Sequence, residues 1–273
     1  MQEVIMYIDD TADLATHLSR EVFQRTGLLH DEAELLLRQS ITAPANDSAV
    51  LRAIAHGHNR ANTISQRTQL EPNQVHKILT TLERIGLIAK LRPVTTSERA
   101  KKTAYAVTDQ FLRFHYRFVE PAKSRLRTTD LAERHLTEVV LPRIDHHASI
   151  AWEDICREYV RDTVPSVGAV GRWWGQVPTG EGRRTEEREL DVVGLDTSGR
   201  PAVFGMCKWT TDEVDFGELN LLDQLAAHVP GGADAASSAS RMLFSRSGFT
   251  PRLRAAAEYD DRLLLVEPEH VYS

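Results

Sequence analysis

Arg188-Glu-Leu-Asp-Val-Val-Gly-Leu195, then Asp196-Thr-Ser-Gly-Arg200, then Pro201-Ala-Val-Phe-Gly-Met-Cys-Lys-Trp209 reads as two strands joined by a tight turn. β-branched and aromatic residues fill the flanks, and turn formers fill the middle, which predicts an antiparallel hairpin. Side chains alternate along a strand, so Glu189 and Asp191 share one face and Met206 and Lys208 share one face. Folding about the turn sets Asp191 opposite positions 205–206. Asp191, residue 206 and Lys208 are therefore expected to converge.

Around the hairpin the pattern mixes helix and strand. Ile150–Val160 is helical, with Trp152, Ile155, Cys156 and Tyr159 apolar. Val167–Gln176 is a strand containing Trp173 and Trp174, one on each face, which favours core packing over stacking on a base. Val214–His228 is a helix, Met242–Phe244 a strand, Pro251–Tyr259 a helix and Leu263–Val266 a strand. This order predicts an α/β domain over residues 148–273.

The middle of the chain follows a different plan. Ser48–Ala55 places Val50, Leu51 and Ile54 on one face of a short helix, and Thr63–Thr68 forms a second. After the turn Leu70-Glu71, Pro72 suits the first position of a third helix, where its missing N–H costs nothing. That helix, Pro72–Ile85, carries Val75, Ile78, Leu79, Leu82 and Ile85 at three- and four-residue spacing, and Gly86 ends it. Two strands, Leu87–Arg92 and Thr103–Val107, then flank a polar, basic tip. The whole predicts a winged helix-turn-helix over residues 48–120. Its third helix is the one that would enter a major groove. Asn73, Gln74, His76, Lys77 and Thr80 on the solvent face are of types that bond phosphates and base edges. Arg99, Lys101 and Lys102 in the wing suit backbone phosphates. A module that binds only protein is the alternative at this point.

Charge sharpens that reading. The net charge of −6 conceals an uneven distribution. Residues 1–50 carry nine acids and three bases, residues 51–130 six acids and fifteen bases, and residues 131–273 twenty-four acids and fifteen bases. A basic module between acidic ones suits a polyanion, and double-stranded DNA is the expected partner.

With 41% hydrophobic and 26% charged residues, the composition excludes disordered and fibrous classes. No uncharged apolar run is long enough to span a membrane, and the acidic N-terminus lacks the basic start of a secretory signal. A soluble, cytoplasmic location without membrane contact is expected. The two cysteines, Cys156 and Cys207, lie far apart in sequence and form no Cys-x-x-Cys, which argues against a disulfide scaffold or a thiolate zinc site. Residues 1–47 contain amphipathic helices with Leu14, Leu18, Val22 and Phe23 in one stripe and Leu35, Leu36 and Leu37 in another. Such a piece buries little by itself and is expected to pack on the winged helix or on something absent from this chain. Residues 121–147 read as a helical linker. No Gly-Lys-Ser/Thr phosphate loop occurs, so no ATP site is expected in this chain.

An aspartate on one strand and Glu-x-Lys on the next resembles the signature of the PD-(D/E)XK nucleases. The resemblance implies a restriction-endonuclease-like domain using Mg²⁺, with Asp191 and Glu153 as metal ligands, Lys208 beside the attacking water, and Glu189 as a substitute carboxylate. Oxygen ligands suit that hard ion, which lowers the pKa of bound water. Where the pattern has glutamate, this chain reads Met206-Cys207-Lys208, and a thioether is a poor Mg²⁺ ligand. The implied domain is a degenerate nuclease, and Met206→Glu is expected to bring back some cleavage.

Leu35-Leu-Leu-Arg38, Leu82-Glu-Arg-Ile-Gly-Leu87, Tyr105–Phe114, Trp152-Glu153, Phe204-Gly-Met-Cys-Lys-Trp209 and Phe244-Ser-Arg-Ser-Gly-Phe249 extend the likeness to almost the whole chain. It resembles the C-terminal part of the archaeal-type P-loop ATPases, where a helical lid, a winged helix and a nuclease-like domain follow the ATPase core. The resemblance implies a chain that lacks that core, a family ATP site upstream of Met1, and multidomain α plus α/β architecture. Three functions stay open: a DNA-binding protein with a degenerate nuclease domain, an active metal-dependent DNase, and a regulatory adaptor for a separate P-loop ATPase. Self-association is a further option.

Overall fold

Residues 12–24, 26–35, 44–97, 103–124, 126, 128–180 and 184–271 are described by a computed structural model of the 273-residue chain. It has a helical region with a helix-turn-helix, followed by a mixed five-stranded sheet with helices: α plus α/β. The chain divides into two units, Met1–Leu91 with Thr103–Ile144, and Arg92–Lys102 with Asp145–Ser273.

The first unit begins with α1 (Leu14–His17), continued by the π-helical segment Leu18–Phe23. Then come α2 (Pro44–Ala55), α3 (Ala61–Thr68), α4 (Pro72–Arg84), β1 (Ile88–Leu91), β2 (Ala104–Val107), α5 (Gln110–Phe114) and α6 (Thr129–His135). One core joins Val50, Leu51 and Ile54 of α2 to Ile64 of α3, Val75, Ile78, Leu79 and Leu82 of α4, and Ile88, Tyr105 and Val107 of the strands. Each such side chain contributes about 1.5–3 kcal/mol when fully buried, which fixes how the three helices sit together. Gly86, at φ 78°, accepts the left-handed conformation that ends α4. β1 and β2 pair antiparallel with Ile88 opposite Val107.

The turn between α3 and α4 passes through Gln69 at φ 57°. Ser65 Oγ donates to the Leu70 carbonyl at 2.7 Å and Thr68 Oγ1 to the Ile64 carbonyl at 2.8 Å, so side chains hold the turn. A β-carbon in that conformation costs about 1–2 kcal/mol. Gln69→Gly is therefore expected to raise stability by about 1 kcal/mol, measured by urea unfolding; a loss of stability would show that the Gln69 side chain stabilises the turn.

A second core in this unit was not foreseen. Val22 and Phe23 bury against Phe114, Phe118, Val119, Leu126, Leu136 and Val140. The stretch read as a linker is thus packed, because its Leu126, Leu136 and Val140, with Phe114 and Phe118 just before it, give the amphipathic N-terminal segment a partner. Leu36, Leu37 and Arg38 lie outside the described residues.

The second unit contains most of α7 (Leu141–Thr163), then β3 (Val167–Pro178), β4 (Thr185–Asp196), β5 (Pro201–Lys208), α8 (Phe216–Ala226), α9 (Gly232–Ala235), β6 (Ser240–Ser245), α10 (Pro251–Glu258), β7 (Leu263–Val266) and α11 (Pro268–Val271). The strands lie in the order β3-β4-β5-β6-β7. β3, β4 and β5 are antiparallel, and β6 and β7 run parallel to β5. α7 covers one face, where Trp152, Cys156 and Val160 meet Val192, Val203 and Phe244. α8 and α10 cover the other, where Leu219, Leu222 and Leu253 meet Val193, Phe204, Met206 and Leu243. The predicted hairpin is present: Val192 pairs with Gly205 and Val193 with Phe204. Asp196 Oδ1 accepts from the N–H groups of Ser198 and Arg200 at 2.8 and 2.9 Å, and Gly199 supplies φ 79°.

The start of the wing packs within this second unit. The Val94 N–H donates to the Arg172 carbonyl of β3 at 2.9 Å. A β-carbon on Gly171 would come within 3.0 Å of Val94 Cβ, so this approach needs glycine there. Among the described residues, no helix is long and apolar enough to cross a membrane.

Candidate nucleic-acid interface and acidic cluster

α4 is two-faced. Val75, Ile78, Leu79 and Leu82 are buried, and all five residues singled out on the other side, Asn73, Gln74, His76, Lys77 and Thr80, are exposed. Pro72 occupies its first turn, and the Glu71 carbonyl accepts from the N–H groups of Gln74 and Val75. Thr80 Oγ1 donates to the His76 carbonyl at 2.9 Å, which leaves the hydroxyl oxygen outward as an acceptor. Arg67 on α3 and Arg84 at the end of α4 are also exposed. The surface offers amide, imidazole and ammonium donors without a carboxylate between Pro72 and Leu82. Arg99, Lys101 and Lys102 of the wing lie outside the described residues.

The α/β unit holds a second arrangement, built on a β-bulge. β3 and β4 pair Gly171 with Val193 but Trp173 with Leu190, so β4 carries an extra residue between them. Leu190 and Val193 both enter the α8 side of the sheet, while Val192 enters the α7 side. Asp191 follows Val192 to the α7 side. Its Oδ2 accepts from the Cys207 N–H at 2.8 Å, and its own carbonyl accepts from Arg157 Nη1 at 2.8 Å. Glu153, on the same helix as Arg157, pairs with Arg172 of β3 at 3.1 Å and with Arg157 at 3.6 Å. Arg157 also binds Asp154 at 2.6 Å.

Crowding of acids in this half-dry space shifts their protonation. Burial, then the charge of Asp191, holds the Glu153 carboxyl up to about 7, against the pull of the two arginines. Burial also raises Asp191, with Glu189 adding repulsion and the Cys207 N–H opposing it. Glu153, Glu189 and Asp191 are thus brought within electrostatic reach of one another.

Met206 and Lys208 are placed elsewhere. Met206 is buried among Phe204, Val193 and Leu219 on the α8 side. Lys208 Nζ pairs with Glu218 Oε2 of α8 at 2.8 Å. The expected convergence of Asp191, residue 206 and Lys208 is therefore not met. The extra residue in β4 turns Asp191 to the opposite face, which uniform alternation could not anticipate. Trp173 and Trp174 are both buried, in keeping with core packing. Arg157 and Arg172 were missed; Arg157 stands one helical turn after Glu153, a legible signal, whereas nothing in the sequence around Arg172 marks it.

Among the described residues no group of three His, Cys, Asp or Glu side chains is arranged to hold a metal ion. Two guanidinium groups already face Glu153, and Asp191 is engaged by an N–H donor. This donor set does not fit Mg²⁺.

Residues 48–92 match the IclR helix-turn-helix domain, so the first unit carries a helix-turn-helix of a kind that points to DNA binding. Residues 115–219 match a family described as archaeal and bacterial proteins of unknown function. An uncharacterized protein of Methanocaldococcus jannaschii is 22% identical over 201 residues, 71% of this chain and 42% of that protein. The chain thus spans about two fifths of the length of that curated relative. A solved O-methyltransferase from neocarzinostatin biosynthesis, in complex with S-adenosyl-L-homocysteine, is 15% identical, with 94% of this chain and 68% of that chain covered. Its TM-score is 0.22.

Proposed function

We propose that the chain binds double-stranded DNA through α4, and that its α/β unit is a nuclease-derived module that does not cut. The exposed face of α4, opposite a buried one, carries this reading. Asn73 and Gln74 in the first turn stand where recognition helices meet base edges, and Lys77 suits a phosphate. The basic charge of residues 51–130 supplies the long-range attraction. The missing glutamate at Met206 and the arginine-filled acidic cluster support the non-cutting part.

Titration of labelled duplex at two salt concentrations tests it. Log affinity is expected to fall linearly with log salt. Lys77→Ala is expected to weaken binding about tenfold on every sequence and to make the salt slope shallower, and Gln74→Ala to relax sequence preference. Binding that ignores salt and both substitutions would refute the interface. The adaptor reading has one observation in its favour: Leu14, Leu28 and Leu35 are exposed in the N-terminal segment. Copurification with a P-loop ATPase that is lost on Leu14→Asp would establish it.

A further inference from the structure

A cleft of about 380 Å³ opens in the helical unit between α2, α3 and Pro121. Ala49 and Ala53, four residues apart on α2, each put only a methyl group into it, which is why the space stays open. Arg52 in the last turn of α2, His56 just beyond that turn and Arg67 on α3 bring positive or hydrogen-bonding groups to the same cleft. No carboxylate is among the described residues that line it. Arg52 Nη2 pairs with Glu120 Oε1 at 2.6 Å, which fixes one edge of the guanidinium and leaves its other N–H groups for a ligand. His56 Nδ1 lies 2.9 Å from the Arg52 carbonyl, and a carbonyl can only accept, so the hydrogen sits on Nδ1 and Nε2 is left for a ligand. Arg67 is exposed and makes no ion pair or hydrogen bond among the described residues. Val50, Leu51 and Ile54 of α2 share a core with Ile64 of α3, so the cations are carried on elements already locked together.

We propose that this cleft binds a small phosphomonoester, a free molecule with a terminal phosphate and a compact organic remainder. Guanidinium forks match phosphate oxygens, and each such charge-assisted bond is stronger than a neutral one. The two arginines come from different helices, which suits a tetrahedral group whose oxygens point several ways better than a planar carboxylate. The alanine methyl groups and Pro121 form an apolar wall for the organic remainder. Small-molecule sites occupy roughly 300–1,000 Å³, and this cleft falls at the lower end of that range. The bound molecule would bridge α2 to α3, the two helices whose apolar side chains share a core with α4. None of the α4 residues assigned to DNA lines the cleft, so the site stands apart from that reading. The DNA backbone carries the same group as a diester, and the two sources are separable by experiment.

Calorimetric titration of the full chain with phenyl phosphate provides the test, with benzoate and sodium chloride at matched ionic strength beside it. Phenyl phosphate is expected to saturate one site per chain, to bind more tightly than benzoate, and to raise the melting temperature, since it binds only the folded state. Arg67→Ala should weaken phenyl phosphate about tenfold or more, the loss expected for hydrogen bonds to a charged group. Arg161→Ala, which removes an exposed arginine on α7 that does not line the cleft, should leave the affinity unchanged. Ala49→Leu, which fills the space, should abolish binding of phenyl phosphate while duplex binding persists. Three outcomes would overturn the proposal: no saturable binding of phenyl phosphate by the native chain, equal affinity for benzoate, or an affinity that Arg67→Ala does not change. If the first were accompanied by weaker duplex binding in Arg67→Ala, the cations would belong to the DNA backbone instead. The native titration and Arg67→Ala, which has no partner to lose, decide the matter even where Ala49→Leu does not fold.

Discussion

Met206→Glu should destabilise the α/β unit by about 3–5 kcal/mol, the cost of an uncompensated buried charge, and should confer no Mg²⁺-dependent cleavage. Met206 is 5% exposed and touches apolar neighbours on the α8 side of the sheet. A carboxylate introduced there must either remain protonated or compete with Glu218 for Lys208. In neither case does it meet Asp191, which faces α7 with Glu153 and Arg157. Met206→Leu, which preserves volume, should cost under about 1.5 kcal/mol and serves as the control. Urea unfolding followed by tryptophan fluorescence measures the effect, because all four tryptophans, Trp152, Trp173, Trp174 and Trp209, belong to the second unit. A stable variant that nicks DNA with Mg²⁺ would mean that residue 206, Lys208 and an acid do meet, and the opposed-face geometry would be wrong.

That geometry also shows where sequence reading stops. The hairpin was legible because Asp196-Thr-Ser-Gly-Arg200 is turn chemistry between two β-branched runs, and the structure pairs the flanks with Val192 opposite Gly205. α4 was legible for a similar reason: Val75, Ile78, Leu79 and Leu82 share one stripe, so Asn73, Gln74, His76, Lys77 and Thr80 had to fall on the other side. The face of Asp191 was not legible, because one extra residue between Leu190 and Val193 reverses it and a bulge leaves no mark in hydrophobic alternation. α7 begins at Leu141, well before the predicted Ile150. Its first turns carry Asp145, His146 and His147, whose polarity hides the helical period. That Cys156 and Cys207 join one apolar cluster depends on a helix packing on a sheet, a relation between distant segments that no local pattern encodes. The packing of half-buried Val94 in the second unit has the same origin, although Gly171 opposite it is the trace such a close approach leaves.

The two units should respond to pH in opposite directions. In the α/β unit, Glu153 titrates at about 7 when folded, against 4.5 ordinarily. Between those values the folded state holds a proton that the unfolded state has released. This contribution is therefore complete below pH 4.5 and is lost as pH rises to 7, and the raised Asp191 acts in the same direction. In the helical unit, burial, helped by the Lys123 charge and opposed by Glu34, depresses the His115 imidazole from 6.5 to about 4. There the unfolded state binds the extra proton, so stability is complete above pH 6.5 and is lost as pH falls through 4. Each shift corresponds to about 3 kcal/mol over its window, large beside the 5–15 kcal/mol that holds a typical domain. Between pH 5 and pH 7.5, tryptophan fluorescence should show the urea midpoint of the α/β unit falling. Amide exchange in α3 and α4, corrected for its intrinsic pH dependence, should show protection rising over the same range. Glu153→Gln should flatten the first trend and leave the second untouched, since Glu153 lies in the second unit and His115 in the first. An α/β slope that rises with pH, or one that survives Glu153→Gln, would remove Glu153 as its source. The acidic cluster would then have to be ionised and matched by Arg157 and Arg172, an arrangement in which burial no longer dominates.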